Sequence, residues 1–185
     1  MIIIIKEINK LDKEVNYQHL VHTFEPVYDK NSKILILGSF PSVKSREANF
    51  FYGHPKNRFW NVISSVFECV TPDTIEDKKN FLYNNNIALW DTIHSCDIIG
   101  SSDSSIKNVV PSDISLILNS ADINAVFANG AASHKLYMKY CYPLTNTDAI
   151  KLPSTSPANA AFSLEKLILI WSIEIKKSFV KTNGL

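Results

Sequence analysis

Cysteine is scarce in this chain, and neither sign of charge is in excess. The three cysteines, Cys69, Cys96 and Cys141, are odd in number and widely spaced. That excludes a disulfide framework and any CxxC metal or cluster motif, and it suggests a reducing, cytoplasmic setting. With 19 Lys and Arg against 18 Asp and Glu the formal net charge is +1, far from the basic balance of a protein that coats nucleic acid. Any such contact must come from a local patch. Long apolar runs are missing too: the opening MIIIIK is too short for a signal core or a membrane span, and it reads as an extra edge strand or a poorly ordered tail. His19, His22, His94 and His134 show no metal-ligand spacing, so no metal site is expected. No GxSxG elbow marks a serine hydrolase, and no internal repeat or low-complexity tract occurs.

What is present fits a single globular domain. The 185 residues are 45% hydrophobic, enough for one real core, with residues 1–23 as an N-terminal extension and 24–185 as the domain. The continuous apolar run at 34–37 reads as a strand buried on both faces, because β-branched residues and leucines without alternation have no wet side, and 87–93, 123–129 and 148–152 read as further strands. Helical spacing is seen over 57–70, from Thr74 as a cap through Leu82, after Ser112 as a cap, over 131–140, and from Ser156-Pro157 into a long terminal helix. Val15, His19 and His22 can share a face of a short helix within 7–22. Strands alternating with helices give an α/β class, a small central parallel sheet of about four strands covered on both faces. In such sheets ligands bind beyond the carboxyl ends of strands. The segments 39–57, 94–110 and 153–160 each follow a strand, so they should meet on one rim.

The first of these segments is the richest. Gly38 ends the buried run, and a long loop follows with Phe40, Phe50, Phe51 and Tyr52 among Lys44, Arg46, Lys56 and Arg58. Loops of that length inside a compact domain are usually functional. Rings interleaved with cations suit a base and its flanking phosphates, since ring faces stack on the base and cations meet the backbone charge.

In order along the chain stand GSFPSVKS, FFYGHPKNRFW, LWDTIHSCDIIGSSDSSI, FANGAASH and LPSTSPANAAFS. This succession resembles the hypoxanthine-DNA glycosylases of the uracil-DNA glycosylase superfamily. The HPxNRFW element is similar to that of the mismatch-specific uracil glycosylases, whereas GSFPS paired with LPSTSPANA matches the hypoxanthine branch. The resemblance implies a three-layer α/β/α domain without metal or cofactor that hydrolyses the N-glycosidic bond of a deaminated base in DNA. It places the catalytic asparagine on Asn57 and the base-stacking aromatic on Tyr52. Phe40 occupies the position where much of the superfamily carries a water-positioning Asn or Asp, so a carboxylate base from that motif is ruled out.

The chemistry is compatible with so sparse a set. Cleavage develops positive charge on the sugar and negative charge on the leaving purine, so donors to the base and a placed water matter more than a strong nucleophile. Asn57 offers a donor and an acceptor, and His54 can donate to a base oxygen in the right tautomer. Phe40, Tyr52 and Asp91 are expected around the base. Ser42, Lys44, Ser154, Thr155, Ser156 and Asn159 are expected on the DNA backbone, with residues 157–160 as a wedge lacking the bulky leucine of some relatives. The partner is thus DNA holding a deaminated base, and a monomer is expected. Each residue also has an ordinary reading: Asn57 as a helix cap, Tyr52 and Phe51 as core rings, Asp91 as an acceptor for a loop amide, Asp103 as a pin for its serine-rich loop. Two rival functions stand beside the first, a glycosylase for uracil or xanthine and a non-catalytic nucleotide or nucleic-acid binding domain.

Overall fold

A computed structural model describes residues 16–180 of the chain. In chain order the first elements are β1 (Gln18–Val21), β2 (Ile34–Gly38), α1 (Val43–Ala48), α2 (Phe59–Val66), α3 (Ile75–Asn84) and β3 (Ile87–Asp91). They are followed by β4 (Ile93–Ile98), a 3-10 turn (Asp103–Ser105), β5 (Lys107–Pro111), α4 (Ser115–Ser120), β6 (Ala125–Asn129), α5 (Ala131–Tyr140), α6 (Tyr142–Thr145), β7 (Ala149–Leu152) and α7 (Leu164–Val180).

β2, β3, β6 and β7 form one parallel sheet in the order β3-β2-β6-β7. β2 is central, and Ile34, Leu35, Ile36 and Leu37 have no solvent exposure, as the absence of alternation predicts. From β2 the chain crosses one way to β3 and later returns to the other side at β6. The carboxyl end of β2 is therefore a topological switch point, where open α/β sheets form their crevice. The connections β2 to β3 and β6 to β7 run in opposite directions across the sheet, so right-handed crossovers put their helices on opposite faces. α2 packs on α7, with Phe59 edge-on to Trp171 at 6.0 Å between centroids. Fully burying a ring of this kind stabilises by about 1.5–3 kcal/mol. Thr74 caps α3 in a capping box with Asp77, as its position before Ile75 suggests.

Several expectations change. Residues 18–21 are a strand and not part of a helix: β1 pairs antiparallel with β4 from Gln18 opposite Ile98 to Val21 opposite Ser95. Residues 18–21 of the segment assigned to an N-terminal extension thus pair with β4, while MIIIIK and Val15 lie outside the described residues. The polar stretch 94–110 is largely strand, since β4 and β5 complete a second, antiparallel sheet in the order β1-β4-β5. β3 stops at Asp91 because the Thr92 N–H closes on the Gly38 carbonyl at 3.0 Å, and the Ile93 N–H then reaches Ser39 at 3.1 Å. That turn carries the chain into the second sheet. The loop 39–56 contains α1, capped by the Ser42 hydroxyl. Ser112 is buried and caps nothing; α4 begins at Ser115 behind Ile114, which makes no side-chain cap bond. The terminal helix starts at Leu164 rather than at Pro157, because residues 157–162 are tied into a turn described below.

Candidate active site

β2, β3, β6 and β7 end in register: Gly38 is opposite Asp91, Leu37 opposite Ala128, and Asn129 opposite Leu152. The segments that leave these ends enclose a cavity of about 350 Å³, a size suited to a small ligand. Of the site residues named from sequence, Asn57, His54, Phe40, Tyr52, Asp91, Ser42, Lys44, Ser154, Thr155 and Ser156 all line it. Asn159 does not; its side-chain amide donates to the Ser154 carbonyl at 2.8 Å.

Asn57 has its amide orientation fixed by its neighbours. Its Oδ1 accepts the Phe59 N–H at 3.0 Å, in the manner of a cap on α2, and the Thr155 hydroxyl at 2.9 Å. A main-chain N–H can only donate, so the oxygen must face it. Both oxygen sites are spent, and the Nδ2 group, with no partner among the described residues, is what Asn57 gives the cavity. Thr155 is held in turn by Asn129, which donates to its Oγ1 at 2.9 Å and accepts its N–H at 3.0 Å. Thr155 is completely buried, with hydroxyl and N–H both engaged. Neither group of Thr155 is therefore free for the DNA contact expected of it.

On the floor, Asp91 is only 5% exposed. Its Oδ2 accepts from His22 Nε2 at 3.0 Å, and His22 Nδ1 is buried without a partner among the described residues. The His22 ring is wedged among Phe24, Phe40 and Phe51. The other Asp91 oxygen lies over Gly38 so closely that a Cβ there would sit 2.0 Å from it, which is why this strand end is glycine. Tyr52 adopts a left-handed φ of 54° and stacks on Phe59 at 3.9 Å and 19°. One ring face is thus covered, and a base can stack only on the other. The Tyr52 hydroxyl is buried beside Asn129 and Asp91; burial, with Asp91 nearby, pushes its pKa well up, so it remains a protonated donor. Phe40 packs with Ile93, Cys96 and Ile98 between the two sheets while bordering the cavity.

His54 Nδ1 accepts the Lys56 N–H at 3.0 Å, which leaves the proton of a neutral ring on Nε2. In the segment after β7, Ser154 and Ser156 each accept a main-chain N–H, from Ser156 and Ala158, so their own protons are free to donate. These turn hydroxyls and N–H groups, not a helix start, are what the segment presents. Ser42 caps α1. Lys44 pairs with Glu47 in an exposed i,i+3 contact. Arg58, one of the cations of the sequence patch, is not free: its guanidinium donates to the main-chain carbonyls of Thr155, Ser156, Asn159 and Phe162. It clamps the turn that delays the terminal helix. Arg46 likewise reaches the carbonyls of Pro41 and Gly100, and burial lowers its pKa.

Among the cavity residues that escaped the sequence reading of the site are Ser39, Asp103 and Asn129. Asn129 could have been found, since it ends a strand just before Gly130 in FANG. Asp103 could not, because its loop reads only as turn chemistry. Its carboxylate leaves that loop and accepts the Ser39 hydroxyl at 2.7 Å, so its expected role as a pin for its own loop is replaced.

A family model described as Uracil DNA glycosylase superfamily matches residues 25–173. The chain belongs to the uracil DNA glycosylase superfamily. Among curated proteins it is similar to a hypoxanthine DNA glycosylase of Methanosarcina barkeri, 34% identical over 112 residues, which are 60% of this chain and 71% of that one. A hypoxanthine DNA glycosylase of Methanosarcina acetivorans is 38% identical over 93 residues, 50% of this chain and 59% of that one. In structure the chain is similar to the solution NMR structure of a uracil DNA glycosylase candidate from Methanosarcina acetivorans, with a TM-score of 0.70 and 30% identity, covering 84% of this chain and 96% of the other. Superfamily membership accounts for the crevice at the end of β2. Among the described residues no helix is long and apolar enough to cross a membrane.

Proposed function

We propose that this superfamily member is a monofunctional DNA glycosylase that releases hypoxanthine from deoxyinosine in DNA and leaves an abasic site. It would work as a single-domain monomer in the cytoplasm, with no metal or cofactor entering the reaction. The observation that carries the reading is the pairing of a donor-only amide, Asn57, with the floor carboxylate, Asp91, around one base-sized cavity. The names of its relatives point the same way.

The target bond lies within the duplex, so the nucleotide must be turned out and its base seated in the cavity. There the open face of Tyr52 receives the purine. Hypoxanthine carries a ring N–H beside a carbonyl, where adenine carries a bare ring nitrogen beside an amine. The Asp91 carboxylate accepts that N–H and repels the adenine lone pair, while the Tyr52 hydroxyl offers a donor to the carbonyl. Mismatched polar groups in a buried site discriminate strongly. As the bond breaks, negative charge grows on the purine, and the Asn57 amide stabilises it by donating. Ser154, Ser156, Ser42 and Lys44 supply donors for the flanking phosphates.

Duplexes holding a single inosine, uracil or xanthine, assayed for alkali-labile breaks, test this reading. Preferential breakage at inosine supports it. Breakage at uracil or xanthine instead keeps the reaction and changes the base, since both also present a ring N–H beside a carbonyl. Tight binding without breakage at any lesion would replace the enzyme with a binding module.

A further inference from the structure

Hydrolysis needs an acceptor that can take a proton from water at the sugar, and in this cavity most acceptors are already occupied. The Asn57 oxygen has two donors, Asn129 Oδ1 holds the Thr155 N–H, His54 Nδ1 holds the Lys56 N–H, and the Ser154 and Ser156 oxygens hold main-chain N–H groups. Two carboxylates remain, and they lie at different depths. Asp91 is nearly enclosed on the floor and tied to His22. Asp103 is exposed as a residue while its carboxyl group is partly screened from solvent, which puts it at the mouth, where the sugar of a base seated below must stay.

We propose that Asp103 is the general base of the reaction, taking the proton of the water that attacks the sugar C1′ once the base is in the cavity. This rests on the glycosylase reading above and adds to it the residue that activates water. One Asp103 oxygen is directed by the Ser39 hydroxyl at 2.7 Å, and the other has no partner among the described residues, so it is open to a water. The loop that carries it is fastened in advance: the Val43 N–H donates to Ser101 Oγ, the Ile99 N–H to Ser105 Oγ, and Ser105 Oγ to the Ser102 carbonyl. As the C1′–N9 bond breaks, its electron pair leaves with the purine. The water oxygen bonds C1′ and its proton passes to Asp103; the purine anion takes a proton from solvent, and Asp103 later returns its own to solvent. The sum is one nucleotide and one water giving an abasic sugar and free hypoxanthine.

The surroundings tune the group in the useful direction. Loss of solvent pushes the Asp103 pKa up, the Ser39 hydroxyl pulls it down, and Asp91 pushes it up again. The other charged or titratable groups about it are Lys44 and His54 across the cavity, and Arg46 and Cys96 on the adjoining α1 and β4. A raised pKa makes a stronger base, which still acts while ionised, so the rate falls as pH drops through that value.

The test is single-turnover excision from an inosine duplex by wild type, Asp103→Asn and Ser39→Ala. It is paired with binding to a duplex whose inosine carries a 2′-fluoro group that blocks cleavage. Asp103→Asn is expected to slow excision by about 100-fold or more, to bind within about threefold of wild type and to lose the acid limb of the pH profile. Ser39→Ala is expected to slow excision by about tenfold, as loss of one orienting bond should, with that limb moved to higher pH. Excision by Asp103→Asn within about threefold of wild type, or a slowing matched by lost binding, overturns the assignment while leaving the glycosylase reading intact. A wild type that cleaves no lesion overturns both.

Discussion

Thr155 donates its hydroxyl proton to the Asn57 amide oxygen across 2.9 Å, and this bond decides what Asn57 can do. With the Phe59 N–H on the same oxygen, only the NH2 group is left for a substrate. The variant Asn57→Asp keeps both acceptor bonds but removes the donor. Its unfolding midpoint should stay near that of wild type while excision falls by about 100-fold or more, the cost of one donor to a developing anion. Thr155→Val is the complementary change. It leaves the Asn129 amide unpaired in a part-buried place, so it should cost about 1 kcal/mol in denaturant unfolding and slow excision less than Asn57→Asp. If Asn57→Asp excises at the wild-type rate, the donor role is wrong.

Arg58 distinguishes a clamp from a phosphate contact. Its planar fork reaches four carbonyls between Thr155 and Phe162, which a lysine ammonium with three donors on a flexible stem cannot reproduce. Arg58→Lys, though it preserves charge, should therefore lower stability by about 2–3 kcal/mol and leave the salt dependence of DNA binding unchanged. Urea unfolding and a salt titration measure the two effects separately.

Lys44 should behave in the opposite way. Its exposed pair with Glu47 is worth little, so the ammonium is available to a phosphate. Lys44→Ala is expected to leave stability within about 0.5 kcal/mol, to weaken binding of all sequences alike, and to reduce the slope of log affinity against log salt by about one. An unchanged slope would remove Lys44 from the DNA path.

The parallel sheet was legible in the sequence because strands alternate with helical segments and its central run, 34–37, has no polar side, with Gly38, Asp91, Asn129 and Leu152 ending the four strands. Convergence of the first and last long segments followed from that topology alone. The second sheet was not legible. β4 interleaves Ile93, Cys96 and Ile98 with His94 and Asp97, which reads as polar loop until β1 and β5 are seen to pair with it. The same pairing explains why Asp103 was missed as a cavity group, since only the β4–β5 hairpin swings its loop back over Ser39. The cations of the first loop misled in a simpler way: composition counts Arg58 and Arg46 as surface charge, but both side chains turn inward to main-chain carbonyls.

The floor of the cavity makes a joint test of fold and recognition. His22 and Asp91 come from different sheets and meet in a buried contact at 3.0 Å, while Gly38 leaves room for the other carboxylate oxygen. His22→Phe keeps the ring volume among Phe24, Phe40 and Phe51 but strips one carboxylate oxygen of its donor, which should cost about 1–3 kcal/mol in stability. Gly38→Ala instead keeps the His22 side chain and drives a methyl group into the carboxylate, so Asp91 must move away from any base seated above it. Both variants should bind undamaged DNA like wild type, because neither touches the phosphate side. Both should lose discrimination between inosine and adenine at the target position, by roughly tenfold or more if one buried hydrogen bond to the base is misplaced. Competition between the two duplexes for each variant reads this directly. An unchanged preference in Gly38→Ala, with the protein folded, would mean that Asp91 does not read the base.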